Sequence, residues 1–153
     1  MNDRRLLLAS LNDAMRELNR LKNPQALPPA TAWSWAQTLT HCAQSIEYSM
    51  AGFPAAKPRL FQLSVGAAAF SVFSRRGRMS HDLAEPIPGA PLLDASTDSA
   101  AAVARLRQAV QGFQTWQGPL RPHFAYGNLS KPEFERAHAM HLANHFSAFD
   151  ITA

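Results

Sequence analysis

Apolar residues recur at spacings of three and four in five successive stretches of this chain, the first four closed by proline or glycine. That punctuation limits the fold more than any single motif does. Leu6, Leu7, Leu11, Met15, Leu18 and Leu21 describe an amphipathic helix over roughly residues 3–22, ended by Asn23-Pro24. A second helix starts near Thr31 or Ser34 and runs to about Met50, where Gly52 and Pro54 stop it. Its apolar and small positions are Trp35, Leu39, Cys42, Ala43, Ile46 and Met50, with His41 and Ser45 beside that stripe. After Pro58, RLFQLSVGAAAFSVFSRR reads as a third helix ending at Gly77. FSVF alone would suit a strand, but the length of the segment and its three consecutive alanines favour helix.

Residues 78–97, with Pro86, Pro88, Gly89 and Pro91, form the longest irregular stretch, and a segment of this kind is often a functional loop. Ser96 or Asp98 caps a fourth helix carrying Val103, Leu106, Val110, Phe113 and Trp116. Ser130-Lys-Pro-Glu133 is a capping box that opens a fifth helix, continuing through Phe134, His138, His141, His145 and Phe149. With no convincing strand, the expected fold is all-α: an up-down helical bundle with at least one long crossover.

The 153 residues are too few for two independent cores, so a single domain over 1–153 is expected. Hydrophobic residues make up 46% and charged residues 17%, a balance too apolar for a disordered chain. The single cysteine, Cys42, rules out an intrachain disulfide framework and a cysteine-only zinc site, and a lone thiol suits a reducing compartment. LLLAS near the N-terminus is too short for the apolar region of a signal peptide, and no apolar run is long enough to span a membrane. The expectation is a cytoplasmic protein without a membrane partner. The net charge is +4, but the basic residues are scattered and only Arg75, Arg76 and Arg78 cluster. A phosphate-gripping face needs several charges together, so no nucleic-acid partner is expected.

Three of the six histidines fall in HAMHLANH. His141 and His145 are four apart and share a helix face one turn apart, a geometry that lets two imidazoles converge on one ion. No glutamate stands between them as in HExxH metalloproteases. His138 is about 10 Å of helix rise from His145 and suits a pocket or outer position better than ligation. If the face points inward, the imidazoles need partners, because unpaired polar groups are costly in a core. A metal ion would supply them, with His41 on a separate helix as third ligand. Pocket lining without metal is the competing reading.

These residues carry a resemblance over nearly the whole chain. In AQTLTHCAQSIEYSM (36–50), IPG (87–89), HFAYGNLS (123–130) and HLANHFSAF (141–149), the sequence resembles the DinB-like (YfiT-like) superfamily of metal-dependent four-helix-bundle proteins, in a branch whose function is not known. The resemblance implies an up-down four-helix core with a long crossover and an extra short helix. It also implies a divalent metal, zinc or nickel, held by a triad that falls on His41, His141 and His145. Two departures stand out: Asn144 where relatives often have a further histidine, and Phe124 where a proline commonly follows the loop histidine.

Three neutral imidazoles leave the ion its full charge and an open position, suited to hydrolysis of an ester, amide or thioester. The resemblance also implies thiol-dependent transfer. The expected function is therefore that of a metal-dependent hydrolase or thiol transferase acting on a small molecule. The alternative is a noncatalytic bundle, metal-stabilised or ligand-binding, that forms a homodimer through an apolar helix face. Gln44, Ser45, Asn144, His123 and Tyr126 are candidate substrate groups, although the simpler expectation leaves His123 exposed while Phe124 and Tyr126 cover the bundle end. Cys42 projects about 100° from His41 and is not expected to act as a nucleophile. Glu47 is expected to be solvated or paired with an arginine, the IPG turn to terminate a segment, with a lid over the cavity as the alternative, and Trp33, Trp35 and Trp116 to be core or interface residues.

Overall fold

Short polar side chains decide where four of the helices begin. In the computed structural model, which describes residues 4–28 and 32–151, Ser10 Oγ accepts the amide of Asp13 to start α1 (Leu11–Arg20). Ser34 and Gln37 form a reciprocal capping box at the head of α2 (Trp35–Ala51). Asp98 accepts from the Ala101 amide to begin α4 (Ser99–Thr115). Ser130 and Glu133 form the second capping box, at the start of α5 (Lys131–Phe146). Between α2 and α4 lies α3, residues 59–76, in which one π-helical turn, Gln62–Gly66, joins α-helical Arg59–Phe61 to Ala67–Arg76. Gly77 ends it at φ 67°, the left-handed conformation that glycine adopts without strain.

The element starts agree with the sequence in most places, with three corrections. The first helix begins at Leu11 rather than near residue 3, because Ser10 is extended and the segment before it is tied to the C-terminal end. Arg4 donates its amide to the Ser147 carbonyl at 3.1 Å and its guanidinium to the carbonyls of Phe149 and Phe146 at 2.8 and 3.2 Å. Second, a strand pair is present: β1 (Gln25–Ala26) pairs antiparallel with β2 (Phe149–Asp150). Third, α5 therefore stops at Phe146, so Phe149 belongs to the strand instead of the helix. Two residues are too short to leave an alternating pattern in the sequence. The alternative helix start at Thr31 lies outside the described residues.

The helices form an up-down bundle in which α2 packs against α4, α1 against α5, and α2 also against α5. Leu11, Leu39, Ile46, Leu106, Val110, Phe113, Phe134, Leu142 and Phe146 are fully or almost fully buried between them. Trp35 packs 5.4 Å from Phe146 and 5.0 Å from Phe149, fastening the strand pair to the bundle. Cys42 faces this core, and burial pushes its thiol well above the ordinary range, which removes it from nucleophilic chemistry. Among the described residues, no helix is long and apolar enough to cross a membrane.

α3 lies outside the main core, and only Gly66 of its residues is buried. Leu60, Leu63, Val65 and Val72 are exposed, whereas Phe70 and Phe73 turn toward a second cluster of Met79, Tyr126 and Met140. Gly66 permits an unusually close approach: a Cβ there would stand 1.8 Å from the Ala125 carbonyl oxygen. The π turn and the glycine let the 123–127 loop rest directly on the helix backbone. Residues 77–98 then cross back to α4.

Candidate metal centre

α2 carries His41 and α5 carries His141 and His145, so helix packing alone brings the three together. One ligand atom from each lies within 4.8 Å of the others. The ring centroids are 5.0 Å apart for His41 and His141 and 4.7 Å for each of the other two pairs. His41 Nε2 and His141 Nε2 are 3.1 Å apart, close enough that at most one of them can carry a proton. The Nδ1 atoms of all three rings are buried without a hydrogen-bond partner.

Electrostatics hold these rings neutral. Burial lowers His41 to about 4, helped by the charge that His81 would carry nearby. His141 and His145 fall well below the ordinary histidine range, first through burial and then through the neighbouring imidazoles. Neutral rings keep a free lone pair, the form in which histidine binds metal. The donor set therefore fits a divalent ion that takes nitrogen ligands. Among the described residues this is the only group of histidines, cysteines or carboxylates placed to hold one.

The triad opens on a cavity of about 160 Å3 that Ser45, His81, Tyr126 and His138 also line. Ser45 is four residues after His41, one turn along the same face, as the sequence indicated. The exposed side chains of Lys57, Asp82 and Glu85 border the same space. Gln44 is buried but does not line the cavity. Asn144 donates to the His81 carbonyl at 3.4 Å, bracing the loop instead of facing the triad. Glu47 forms a two-pronged pair with Arg105 at 2.9 Å, well matched to the expected arginine partner.

His138 lies outside the triad and is held by its own hydrogen bond. Ser49 Oγ gives its one proton to the Ile46 carbonyl at 2.6 Å, so the 3.1 Å contact with His138 Nε2 requires the imidazole to donate. Its ring lies between Phe134, stacked at 5.4 Å, and the edge of Phe113 at 5.1 Å.

His123 contradicts the expectation of an exposed loop residue. It is buried, with Nδ1 accepting the amides of Ala125 and Tyr126 at 3.1 Å each, so Nε2 carries the proton. The IPG turn likewise does more than end a segment, since Ile87 is buried against the cavity with Pro86 and Pro88 beside it. Trp116 is not a core residue: it is 37% exposed and donates to the Pro119 carbonyl.

Two site residues escaped sequence reasoning. Trp33 packs 4.9 Å from His41 and 6.3 Å from His145. His81 bonds the Tyr126 hydroxyl at 3.1 Å and lies edge-on 6.4 Å from His141. The one available signal for His81 was its position in the long irregular stretch.

Buried neutral histidines make the metal-free protein acid-sensitive. His123 and His138 titrate at about 3 in the folded chain because burial disfavours their charged forms, against about 6.5 when unfolded. Below about pH 6.5 the unfolded chain binds protons that the folded chain refuses, so stability is full above that pH and falls as pH drops toward 3. Each of the two contributes a loss of about 1.4 kcal/mol per pH unit. Urea midpoints of the apo protein between pH 7 and 5 are expected to fall steeply, and a flat profile would contradict this burial.

Fold and site together define a mostly helical bundle protein with a buried cluster of three histidines able to coordinate a metal ion. The family described as "Protein of unknown function (DUF1569)" matches residues 1–152, and the chain belongs to it. No curated protein and no solved structure matches the chain.

Proposed function

We propose that this protein is a DinB-like metal-dependent enzyme, a hydrolase or thiol-dependent transferase acting on a small molecule, with His41, His141 and His145 as ligands to zinc or nickel. The observation that carries this reading is the convergence of three neutral imidazoles on one cavity, a ring nitrogen from each lying within 4.8 Å of the others. One histidine on the second helix, two on the last and a long crossover at 77–98 support the DinB-like assignment. The single buried Cys42 supports a reducing, cytoplasmic setting.

A divalent ion held there would supply Lewis acidity at the position that three protein ligands leave open. The chain's own contribution is to hold the imidazoles neutral by burial, to enclose a small ligand beside them, and to offer Ser45 and Tyr126 as hydroxyl groups on the cavity wall. At about 160 Å3 the cavity accommodates a group roughly the size of benzene beside the imidazoles.

The test is a panel of activated esters, amides and thioesters, and of thiols with electrophilic acceptors, offered to zinc- and nickel-loaded protein. Turnover of at least one class is expected, abolished by a chelator and restored by the metal. Loaded protein that binds metal yet turns over no member of the panel faster than chelated protein would favour a noncatalytic, metal-stabilised bundle.

A further inference from the structure

The 123–127 loop is built more rigidly than a bundle end requires. His123 and Gly127 exchange backbone hydrogen bonds at 2.8 and 3.0 Å, and Gly127 takes φ 78° to close the turn. Inside the turn, His123 Nδ1 ties down two amides, and its ring stacks on Tyr126 at 4.2 Å and 9°. Beneath it, Gly66 at the end of the π turn of α3 presents no Cβ to the Ala125 carbonyl, and the Gln62 side chain at the start of that turn donates to the Phe124 carbonyl at 3.3 Å. Phe70 also packs against the Tyr126 ring, at 5.5 Å and tilted by 39°. Four separate features thus fix one phenol, and that phenol lines the cavity of the three histidines.

Among the described residues, the Tyr126 hydroxyl has one hydrogen-bond partner, His81 Nε2 at 3.1 Å. With His81 protonated on Nε2 and donating to it, the phenol oxygen accepts there and keeps its own proton for a second partner. Burial pushes the phenol well above its ordinary range, so it keeps its proton at neutral pH. His81 is carried by the irregular stretch, and its ring reaches both Tyr126 and His141, bridging the phenol to the triad.

We infer that the Tyr126 hydroxyl, oriented by His81, donates a hydrogen bond to the ligand of this cavity, selecting molecules that present an acceptor oxygen beside the three imidazoles. Carboxylates, hydroxamates and the carbonyl groups of esters and amides have that chemistry, whereas purely hydrocarbon or cationic groups do not. This inference rests on the metal-binding reading above and adds to it the class of group that the site recognises.

The test uses cobalt(II) as a coloured substitute ion and acetohydroxamate as the oxygen-bearing probe, with binding followed through the cobalt absorption bands. Tyr126→Phe keeps the ring and its stacking and removes only the hydroxyl. The variant is expected to bind cobalt with wild-type affinity and acetohydroxamate about tenfold more weakly, the effect of one lost hydrogen bond. Equal probe affinity in both proteins would overturn the inference while leaving the metal site intact. A wild-type protein that takes up no cobalt would overturn the metal reading and this inference with it, and the two failures are distinguished by the cobalt titration alone.

Discussion

His141→Ala is expected to weaken zinc binding more than about 100-fold, because loss of even an outer partner of a metal-ligating histidine costs 10–100-fold and here a ligand itself is removed. His141 supplies the Nε2 that meets His41 at 3.1 Å, and two ligands from different helices cannot close a site that three hold. The fold should survive, since the ring borders a cavity that water can enter. His138→Ala provides the contrast. It should leave zinc affinity within a few-fold of wild type, yet lower stability by about 3 kcal/mol by opening a void between Phe113 and Phe134 and leaving Ser49 without its donor. Zinc titration with a competing chelator, beside urea denaturation, separates the two effects. Comparable metal loss in both variants would break the ligand assignment.

Gly66→Ala is expected to be the most damaging glycine-to-alanine substitution, since Gly66 has the tightest Cβ approach of the seven glycines. The added carbon would lie 1.8 Å from the Ala125 carbonyl oxygen, a backbone atom held within the 123–127 turn, so no flexible side chain can swing aside. The loop must lift or α3 must lose its π turn, at a cost of about 3 kcal/mol. Thermal unfolding should register this as a lower midpoint, about 2–4 °C per kcal/mol for a chain of this size. Because the displaced loop carries His123 and Tyr126, ligand affinity in the cavity should fall along with stability. Wild-type stability in the variant would show that α3 and the loop are less closely seated than described.

How much of this was legible in the sequence depended on the range over which each signal acts. Ser34, Asp98 and Ser130 act on amides three residues away, so the starts of α2, α4 and α5 could be read locally. The three histidines were legible because helix periodicity places His141 with His145, and the stripe on α2 predicts which way His41 faces. Burial of His123 was not legible, since it depends on a glycine 57 positions earlier that lets a loop settle on a bulged helix. Nor was the role of His81, whose irregular segment has no period from which to infer a direction. The β1–β2 pair joins residues from opposite ends of the chain through two residues on each side, below the length at which alternation carries information. Helical registers and their caps are therefore local properties of this sequence, whereas the larger part of the cavity wall, made by loops, is set by tertiary contacts.

The central claim is that the three histidines hold a metal ion, and the most direct measurement is elemental analysis of untagged protein purified without added metal and then equilibrated with zinc or nickel. The His41→Ala/His141→Ala variant serves as the control. The account predicts about one ion per chain in the wild type and a trace in the variant, with both folded. A folded wild type that neither carries metal nor takes up zinc or nickel would contradict it and return the three histidines to the role of buried pocket residues.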